Sequence, residues 1–383
     1  MKIKRNFFIL NAVFQALILK YLIIDMINMP SLKNKIIGYL RLIRIHTLIA
    51  TALTPSLGAF ATFPVLKDKL FPDDLIRIFV PLLMVGMIIH IFGEILNDYM
   101  DYDIDKANIE LSDKPLVSGD VSKKSALIGM ILCLVFLIII IIFSHFSMLS
   151  LILFVIGATT GIVYQLISKK WLHSAVFLAS YVFFIILFGG TYAGSYNNIF
   201  SIPPLVYVLG ILGFFQLWIN TAILGHLKDI KNDAEYGVKT FPMIFGVKVG
   251  REEKTPKLII PLGFKSLVVI IQIINLIVAF LPLIYYKSFY GGNVNLFLLS
   301  FSLILLSIVI LVSMVRTMWS KLFERNKLMK VMAVREIATY FFAPVLIFPL
   351  IGGILTLVYI FVPLIWFIIV NKLISGDPMR AAI

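Results

Sequence analysis

Runs of about twenty mostly apolar residues recur along the chain, and they constrain its fold more than any other feature. A helix needs roughly 20 such residues to cross a bilayer. Hydrophobic residues make up 60% of the chain and charged residues only 14%, a balance outside the usage of soluble domains. The chain is therefore predicted to be an all-α integral membrane protein that crosses the lipid bilayer many times.

By this length criterion, the sequence predicts about nine membrane helices. Their approximate ranges are 36–63, 76–97, 123–143, 148–167, 173–194, 203–225, 264–286, 295–315 and 341–370. The last range is too long for one plain crossing and contains several prolines as well as Gly352 and Gly353. We therefore expect it to be kinked or broken.

The membrane domain is predicted to span residues 36–370, with a short tail over 371–383. Residues 1–35 form a basic and apolar N-terminal extension. Lys20 and Asp25 interrupt its apolar run, so we interpret the extension as retained and not as a cleaved signal peptide. Residues 7–27 could form an interfacial helix or an additional membrane segment.

Most of the 34 lysine and arginine residues fall on one side of the nine-helix arrangement. The residues assigned to the other side are Lys67, Lys69, Arg77, Lys287, Lys372 and Arg380. Because basic residues collect in cytoplasmic loops, the N-terminus and the loops after the second and sixth helices are predicted to be cytoplasmic. The same rule explains the net charge of +14, so no nucleic-acid partner is expected. The basic stretch Arg316 to Arg335 is predicted to lie on the cytoplasmic membrane surface.

An acidic cluster follows the second apolar run, within the segment from Gly93 to Gly119. At 3.6 residues per turn, Asp98, Asp101 and Asp105 share one helical face, whereas Asp103 points elsewhere. Carboxylates this close repel one another unless a cation or water separates them. All-oxygen ligands suit Mg2+ or Ca2+, and Mg2+ commonly takes one or two carboxylates and completes its shell with phosphate oxygens and water. A solvated acidic helix end is the alternative interpretation.

A second acidic pair follows the sixth helix, where Asp229 and Asp233 stand four residues apart. They share one face if that helix continues into the loop, and Gly237 is a plausible helix stop. One such pair is weak evidence by itself, because a solvated helix turn produces the same spacing. Two clusters at the cytoplasmic ends of membrane helices could face each other, hold two Mg2+ ions and bind a diphosphate.

Several basic residues lie near these acids. Arg44 and His46 are costly in lipid, so they are expected to face the interior, Arg44 as a structural ion pair or a substrate contact. Other lysines could contact diphosphate oxygens, although each also fits a positive-inside anchor. These lysines are Lys114, Lys169, Lys170, Lys228 and Lys239.

These motifs resemble those of the UbiA family of intramembrane prenyltransferases. Asn97, Asp98, Asp101 and Asp105 match its first motif, NDxxDxxxD. Asp229 and Asp233 match its second, DxxxD, and are followed by a similar G-x-K-T pattern. The run KPLVSG is similar to the family's RPL-x-SG segment, with Lys114 in place of arginine. The run that begins at Arg44 resembles the family's RPxT-type opening, with isoleucine replacing the proline.

The resemblance implies nine helices around a central cavity that opens sideways to lipid. It also implies that two Mg2+ ions bridge the motif residues and a polyprenyl diphosphate, whose ionisation leaves an allylic carbocation for a prenyl acceptor. The implied metal ligands are Asn97, Asp98, Asp101, Asp105, Asp229 and Asp233, among which Asp98, Asp101 and Asp229 carry the catalysis. Substrate-binding roles are implied for Asn97, Arg44, Lys114, Tyr164, Lys169, Lys228 and Lys239. The family often has a tyrosine four residues before a lysine, whereas Tyr164 lies five residues before Lys169.

The acceptor that the resemblance favours is an aromatic precursor in quinone biosynthesis, and the alternative is a glycerol phosphate in ether-lipid synthesis. A membrane transporter is the hypothesis from another class, since carboxylates in membranes often mark ion pathways. The position of the acids at helix ends counts against it. No obligate protein partner is predicted, and Cys133, the only cysteine, excludes an intramolecular disulfide.

Overall fold

The computed structural model describes residues 32–62, 72–107, 111–168, 171–235, 237–250, 256–291 and 294–376. The N-terminal segment 7–27, Lys169, Lys170 and most of the predicted C-terminal tail lie outside the described residues. Within the described part of the chain, eight helices are long and apolar enough to cross a membrane. The prediction of an all-α membrane protein is confirmed.

The elements follow one another in a simple order. They are α1 (Leu32–Leu42), α2 (Leu48–Ala52), α3 (Thr54–Phe60), α4 (Pro72–Lys106), α5 (Pro115–Ser118), α6 (Lys123–Phe143), α7 (Met148–Ile167), α8 (Ala175–Gly194), α9 (Pro204–Trp218), a π-helical segment (Ile219–Gly225), α10 (His226–Glu235), α11 (Phe241–Ile244), β1 (Lys248–Val249), β2 (Leu258–Ile259), α12 (Leu262–Ile284), α13 (Tyr286–Tyr290), α14 (Leu296–Met318) and α15 (Arg325–Ser375). A short 3-10 turn, Ile199–Ser201, precedes α9. The two strands form a small antiparallel hairpin.

The predicted first helix, 36–63, is not continuous, because it is divided into α1, α2 and α3. A turn between α1 and α2 contains Arg44, whose φ of +43° is uncommon for a residue with a side chain. A helical path would leave the Arg44 charge on a membrane-facing segment, whereas the turn brings it to carboxylates on α4. The break in the first helix thus allows the Arg44 guanidinium to reach the carboxylates on α4.

The backbones of α3 and α8 approach each other closely through glycines. A Cβ atom on Gly58 would lie 1.9 Å from the Ile186 carbonyl oxygen, and one on Gly189 would lie 1.7 Å from that of Pro55. Small residues at such contacts allow tight van der Waals packing between membrane helices. This contact anchors the broken first helix against the centre of the bundle.

The predicted last helix, 341–370, is part of a hairpin that begins at Arg325. Gly352 has the non-helical angles φ 76° and ψ 174°. The Tyr340 hydroxyl donates a hydrogen bond of 3.3 Å to the Tyr359 carbonyl oxygen, although a straight helix would separate these residues by about 28 Å. The chain therefore reverses at Gly352, which divides α15 into a first arm, 325–351, and a returning arm, 353–375. The expected break in this segment is confirmed.

The returning arm runs antiparallel to the broken first helix. Tyr359 contacts Ser56 on α3, and the Trp366 indole N–H donates a 2.7 Å hydrogen bond to the Ile45 carbonyl oxygen. Lys372 follows Trp366 on this arm, so it lies at the end of the bundle that holds Arg44. The assignment of Lys372 to the opposite side was wrong, because a single final crossing was assumed where the chain makes a hairpin.

Two helices extend further than predicted and thereby carry the acidic motifs. α4 continues past residue 97 to Lys106. The sixth predicted helix continues beyond residue 225, through the π-helical segment, into α10, which ends at Glu235. Gly237, with φ of +71°, follows this end, as expected for a helix stop. Both DxxxD-type motifs therefore lie on helices and not in loops.

Candidate functional site

The first acidic cluster lies on the last turns of α4. Asp98, Asp101 and Asp105 are only 6%, 6% and 2% exposed, whereas Asp103 is exposed. The predicted sharing of one face by the first three is confirmed. Burial excludes the alternative of a freely solvated acidic helix end, because buried carboxylates require partners.

Lys114 supplies one such partner for this cluster. Its ammonium nitrogen lies 2.7 Å from Asp105 Oδ2 and 3.3 Å from Asp98 Oδ1. The short helix α5 starts directly after it with a proline and stops at Gly119 in the left-handed conformation, which fixes the loop locally. Burial alone lowers the pKa of the Lys114 ammonium, but the Asp98 and Asp105 carboxylates outweigh it, so the pKa is raised. Lys114 therefore remains charged.

Arg44 joins the same cluster from the turn between α1 and α2. Its Nε lies 3.0 Å from Glu94 Oε2, and its Nη2 lies 3.7 Å from Asp98 Oδ1. Nη2 also donates a 3.3 Å hydrogen bond to Asn97 Oδ1. The sequence analysis did not single out Glu94. Its position four residues before Asp98, on the same helix face, was the available signal.

Asn97 connects the cluster to α7. Its Nδ2 donates a 2.7 Å hydrogen bond to Gln165 Oε1, and Gln165 Nε2 lies 3.5 Å from the Gly93 carbonyl oxygen. Gln165, which follows Tyr164, was also missed, because one glutamine in an apolar run carries no motif. Tyr164, the residue before Gln165 on α7, lies near enough to Asp101 and Arg44 to interact with them electrostatically, and its role in substrate binding stays a prediction. Lys169 lies outside the described residues.

The second acidic cluster lies on α10. Asp229 Oδ1 accepts hydrogen bonds from Arg325 Nε at 3.1 Å and from Arg325 Nη2 at 3.0 Å. The Lys228 ammonium lies 3.8 Å from Asp229 Oδ2. The sequence analysis treated Arg325 only as a membrane-surface charge. It missed this contact because the two residues are 96 positions apart.

Asp233 lies one turn after Asp229 and interacts with His226, whose Nδ1 is 3.5 Å from Asp233 Oδ2. This Oδ2 atom is buried and accepts no hydrogen bond from the described part of the chain. Lys239 is exposed, and the structure gives it no hydrogen bond or ion pair with a described residue. Lys228 thus lies beside Asp229, whereas Lys239 makes no such contact with the described residues, and the predicted substrate-binding roles of both stay predictions.

An apolar cavity of about 420 Å3 lies inside the bundle. Its walls come from α2, α3, α4, α6, α7, α8, α9 and the first arm of α15. Glu94 and Gln165, which contact Arg44 and Asn97, line this cavity, so it opens onto the first acidic cluster. On the other wall, Gln216 of α9 and Thr339 of the first arm supply polar groups.

The donor set of the two clusters fits Mg2+, although no described group of three or more His, Cys, Asp or Glu residues is arranged to hold a metal ion. Mg2+ needs only one or two carboxylates when substrate phosphates complete its octahedral shell. The Lys114 ammonium already places a positive charge between Asp98 and Asp105. The Asp233 Oδ2 atom offers an additional unused acceptor. These oxygen atoms are chemically suited to ions bridged by a phosphate.

Comparison with known proteins identifies a family. A family model described as the UbiA prenyltransferase family matches residues 53–334. A digeranylgeranylglyceryl phosphate synthase of Methanoculleus marisnigri is 29% identical over 216 residues, which cover 55% of this chain and 69% of that protein. A 4-hydroxybenzoate octaprenyltransferase of Blochmanniella floridana is 32% identical over 128 residues, which cover 32% of this chain and 43% of that protein.

Solved structures share the fold. A structure of a UbiA homologue from Archaeoglobus fulgidus bound to GPP and Mg2+ has a TM-score of 0.54 and 17% sequence identity, and the match covers 81% of this chain and 99% of that one. A structure described as addressing digeranylgeranylglyceryl phosphate synthase in membranes has a TM-score of 0.55 and 19% identity, with 81% and 98% covered. The helical architecture is therefore that of these proteins.

Proposed function

The chain belongs to the UbiA prenyltransferase family and is an integral membrane enzyme that transfers prenyl groups, and from this premise we propose its substrates and the residues that bind them. The prenyl donor is a polyprenyl diphosphate, and Mg2+ assists the departure of the diphosphate. The observation that carries this proposal is a buried group of carboxylates and cations at the mouth of an apolar cavity. The Mg2+ and GPP in the Archaeoglobus fulgidus homologue support it.

The first cluster would hold one metal ion and the diphosphate. Asp98, Asp101 and Asp105, together with Asn97, offer the oxygen ligands. The basic side chains of Arg44 and Lys114 would bind diphosphate oxygens, because charge-assisted hydrogen bonds to phosphate are strong. A bound Mg2+ supplies positive charge that stabilises the diphosphate as its carbon–oxygen bond breaks.

The second cluster would complete the site. Asp229 and Asp233 would ligate the other ion, and the Arg325 guanidinium that now occupies Asp229 would move to the diphosphate oxygens. Lys228 would contribute a further charge, and Lys239 would reach the site only if its loop closed over the substrate. Tyr164, and Lys169 in the following loop, would border the prenyl diphosphate.

The apolar cavity would hold the prenyl chain near its reacting end. Phe92, Phe154, Tyr181 and Phe342 line it and offer ring faces to an allylic carbocation. Its lining is mostly apolar, so water has few groups to bind there. Exclusion of water protects the cation until the acceptor captures it.

Two acceptor types remain as proposals. The relatives called digeranylgeranylglyceryl phosphate synthases match a larger share of this chain, and this favours a glycerol phosphate derivative as the acceptor. An aromatic quinone precursor, placed first by the sequence analysis, is favoured by the shorter match to a 4-hydroxybenzoate octaprenyltransferase. Both acceptor types carry an acidic group, a phosphate or a carboxylate. Membership of an enzyme family removes the support for a transporter.

The test is diphosphate release and prenyl transfer by the purified protein in liposomes, with GPP or a longer polyprenyl diphosphate and a panel of acceptors. We expect activity to require Mg2+ and to fall by about a hundredfold or more in Asp98→Asn and Asp229→Asn, which each remove one charged ligand. Asp103→Asn is the matched control, because Asp103 is exposed on the same helix. Equal activity in all three variants would refute the proposed site.

A further inference from the structure

Arg335 is a buried cation inside the bundle. The sequence analysis placed it on the membrane surface, but it is only 1% exposed on the first arm of α15. The surface prediction was wrong for this residue because the helix that begins at Arg325 enters the bundle well before residue 341. An ionisable residue at such a position generally marks a functional site.

The contacts of Arg335 satisfy its hydrogen bonds in part but leave its charge unpaired. Nη2 donates a 2.8 Å hydrogen bond to Gln272 Oε1, and Nη1 donates to Asn220 Oδ1. Both acceptors are neutral amides. Glu336 attracts Arg335 electrostatically, yet no carboxylate of the described residues forms an ion pair with it. Among the described residues, the buried guanidinium is therefore bonded only to neutral amides, and a buried charge of this kind is unfavourable unless a further partner joins it.

Three polar atoms around this cation have no hydrogen-bond partner within the described chain. They are Arg335 Nε, Gln272 Nε2 and Asn275 Oδ1, and all are buried. Unsatisfied buried polar groups destabilise a fold and are uncommon, so three of them close together call for an explanation such as a ligand. Two of the three atoms are N–H donors beside a positive charge. An anion would satisfy these two donors, whereas Asn275 Oδ1 is itself an acceptor and would need a donor.

This polar cluster adjoins the apolar cavity. Asn220 lies in the π-helical segment Ile219–Gly225, one turn after the cavity-lining Gln216. Arg335 lies one turn before the cavity-lining Thr339. Short π-helical insertions occur frequently at functional sites, because they change the direction in which side chains point. The guanidinium does not line the cavity itself but lies within one helical turn of residues that do.

We propose that Arg335, held by Asn220 and Gln272, binds the acidic group of the prenyl acceptor. The planar guanidinium matches a carboxylate or a phosphate, which would accept hydrogen bonds from Arg335 Nε and Gln272 Nε2 while the two amide oxygens keep their bonds to Nη1 and Nη2. This inference rests on the proposed function and adds the acceptor site to it. The residues assigned to the diphosphate come from other contacts, with Arg44 and Lys114 on the first cluster and Arg325 on the second.

Two variants test the proposal from opposite directions. Arg335→Met removes the charge, whereas Gln272→Glu supplies an internal carboxylate of nearly the same shape that competes with the acceptor. Arg316→Met is the matched control, because Arg316 is exposed at the end of α14. In both test variants we expect the KM for the acceptor to rise about tenfold to a hundredfold. The KM for the prenyl diphosphate stays within about threefold of the wild-type value.

Melting temperature in detergent distinguishes binding from folding. Because Gln272→Glu neutralises a buried charge, its melting temperature should not fall, so its loss of acceptor affinity would not reflect misfolding. If Arg335 is purely structural, Gln272→Glu keeps the wild-type acceptor KM, and the proposal is overturned. A rise in the KM for the prenyl diphosphate alone would assign Arg335 to the donor and would equally overturn it.

Direct binding measurements distinguish failure of this proposal from failure of the proposed function. The probes are 4-hydroxybenzoate and a prenylated glycerol phosphate, added without prenyl diphosphate, and the readout is a saturable rise in melting temperature. We expect one probe to stabilise the wild type and Arg316→Met, but neither test variant. A neutral ester of that probe should stabilise none of them.

If neither probe stabilises the wild type, the acceptor site is refuted. If a probe binds but no prenyl group is transferred, the proposed function fails.

Discussion

Lys114 and Asp105, nine residues apart, form a 2.7 Å ion pair that holds the loop after α4 against its last turn. Asp98 shares the same ammonium, so one lysine contacts two buried carboxylates. If the proposed function is correct, the strength of diphosphate binding depends on this side chain.

Replacing Lys114 with methionine should weaken binding of the prenyl diphosphate. The lost charge-assisted hydrogen bonds are worth about 1.5–3 kcal/mol, so we expect the KM for the donor to rise by roughly tenfold or more. Lys114→Arg should recover part of the affinity because it retains the charge. Lys124→Met, at an exposed position on α6, serves as the control. An unchanged donor KM in Lys114→Met would remove Lys114 from the site.

The Arg325–Asp229 ion pair should compete with metal binding. Because the guanidinium occupies Asp229 Oδ1, Arg325→Met should lower the Mg2+ concentration that gives half-maximal activity, by about twofold to tenfold. Maximal activity should fall at the same time if Arg325 also contacts the diphosphate. Titration of diphosphate release with Mg2+ measures both quantities, with the exposed Lys330→Met as control. A higher Mg2+ requirement in Arg325→Met would show that no competition exists.

Because the chain reverses at Gly352, we predict on which side of the membrane three lysine positions lie. With Cys133 replaced by alanine, the chain offers a cysteine-free background. Single cysteines at Lys106 and Lys372 should react with an impermeant maleimide from the same side of sealed vesicles, and a cysteine at Lys287 from the opposite side. All three residues are exposed. Labelling of positions 372 and 287 from one side would be inconsistent with a returning arm.

The close contact between α3 and α8 predicts a strong packing defect. A Cβ on Gly189 would meet the Pro55 carbonyl oxygen at 1.7 Å, so Gly189→Ala must push the two backbones apart. We expect a loss of about 1–3 kcal/mol and a lower melting temperature. Gly263→Ala is the control, since nothing lies within 4 Å of the added Cβ. Equal melting temperatures for the two variants would disprove the contact.

The family match ends at residue 334, so it includes neither Arg335 nor the returning arm. The returning arm holds the broken first helix through Trp366 and Tyr359, and that helix carries Arg44 into the first acidic cluster. Residues beyond the matched range thus support the shape of the site through packing.

Sequence periodicity by itself determined the membrane class, most helix positions and the face shared by Asp98, Asp101 and Asp105. These features depend on local spacing and on the length of apolar runs, both of which are written directly in the chain. The paired acidic motifs also indicated the family correctly, since the chain belongs to the family that they resemble.

Only the tertiary structure decided which charges meet. Glu94 with Arg44, Arg325 with Asp229, and Arg335 with Gln272 pair across 50, 96 and 63 positions of the chain. Such contacts depend on helix packing and on breaks such as the turn at Arg44 and the reversal at Gly352. A charge count assigns lysines and arginines to a membrane surface, because it treats every helix as straight. The fold instead brings Arg325 to Asp229 and buries Arg335 inside the bundle, where the low dielectric makes each of its partners matter.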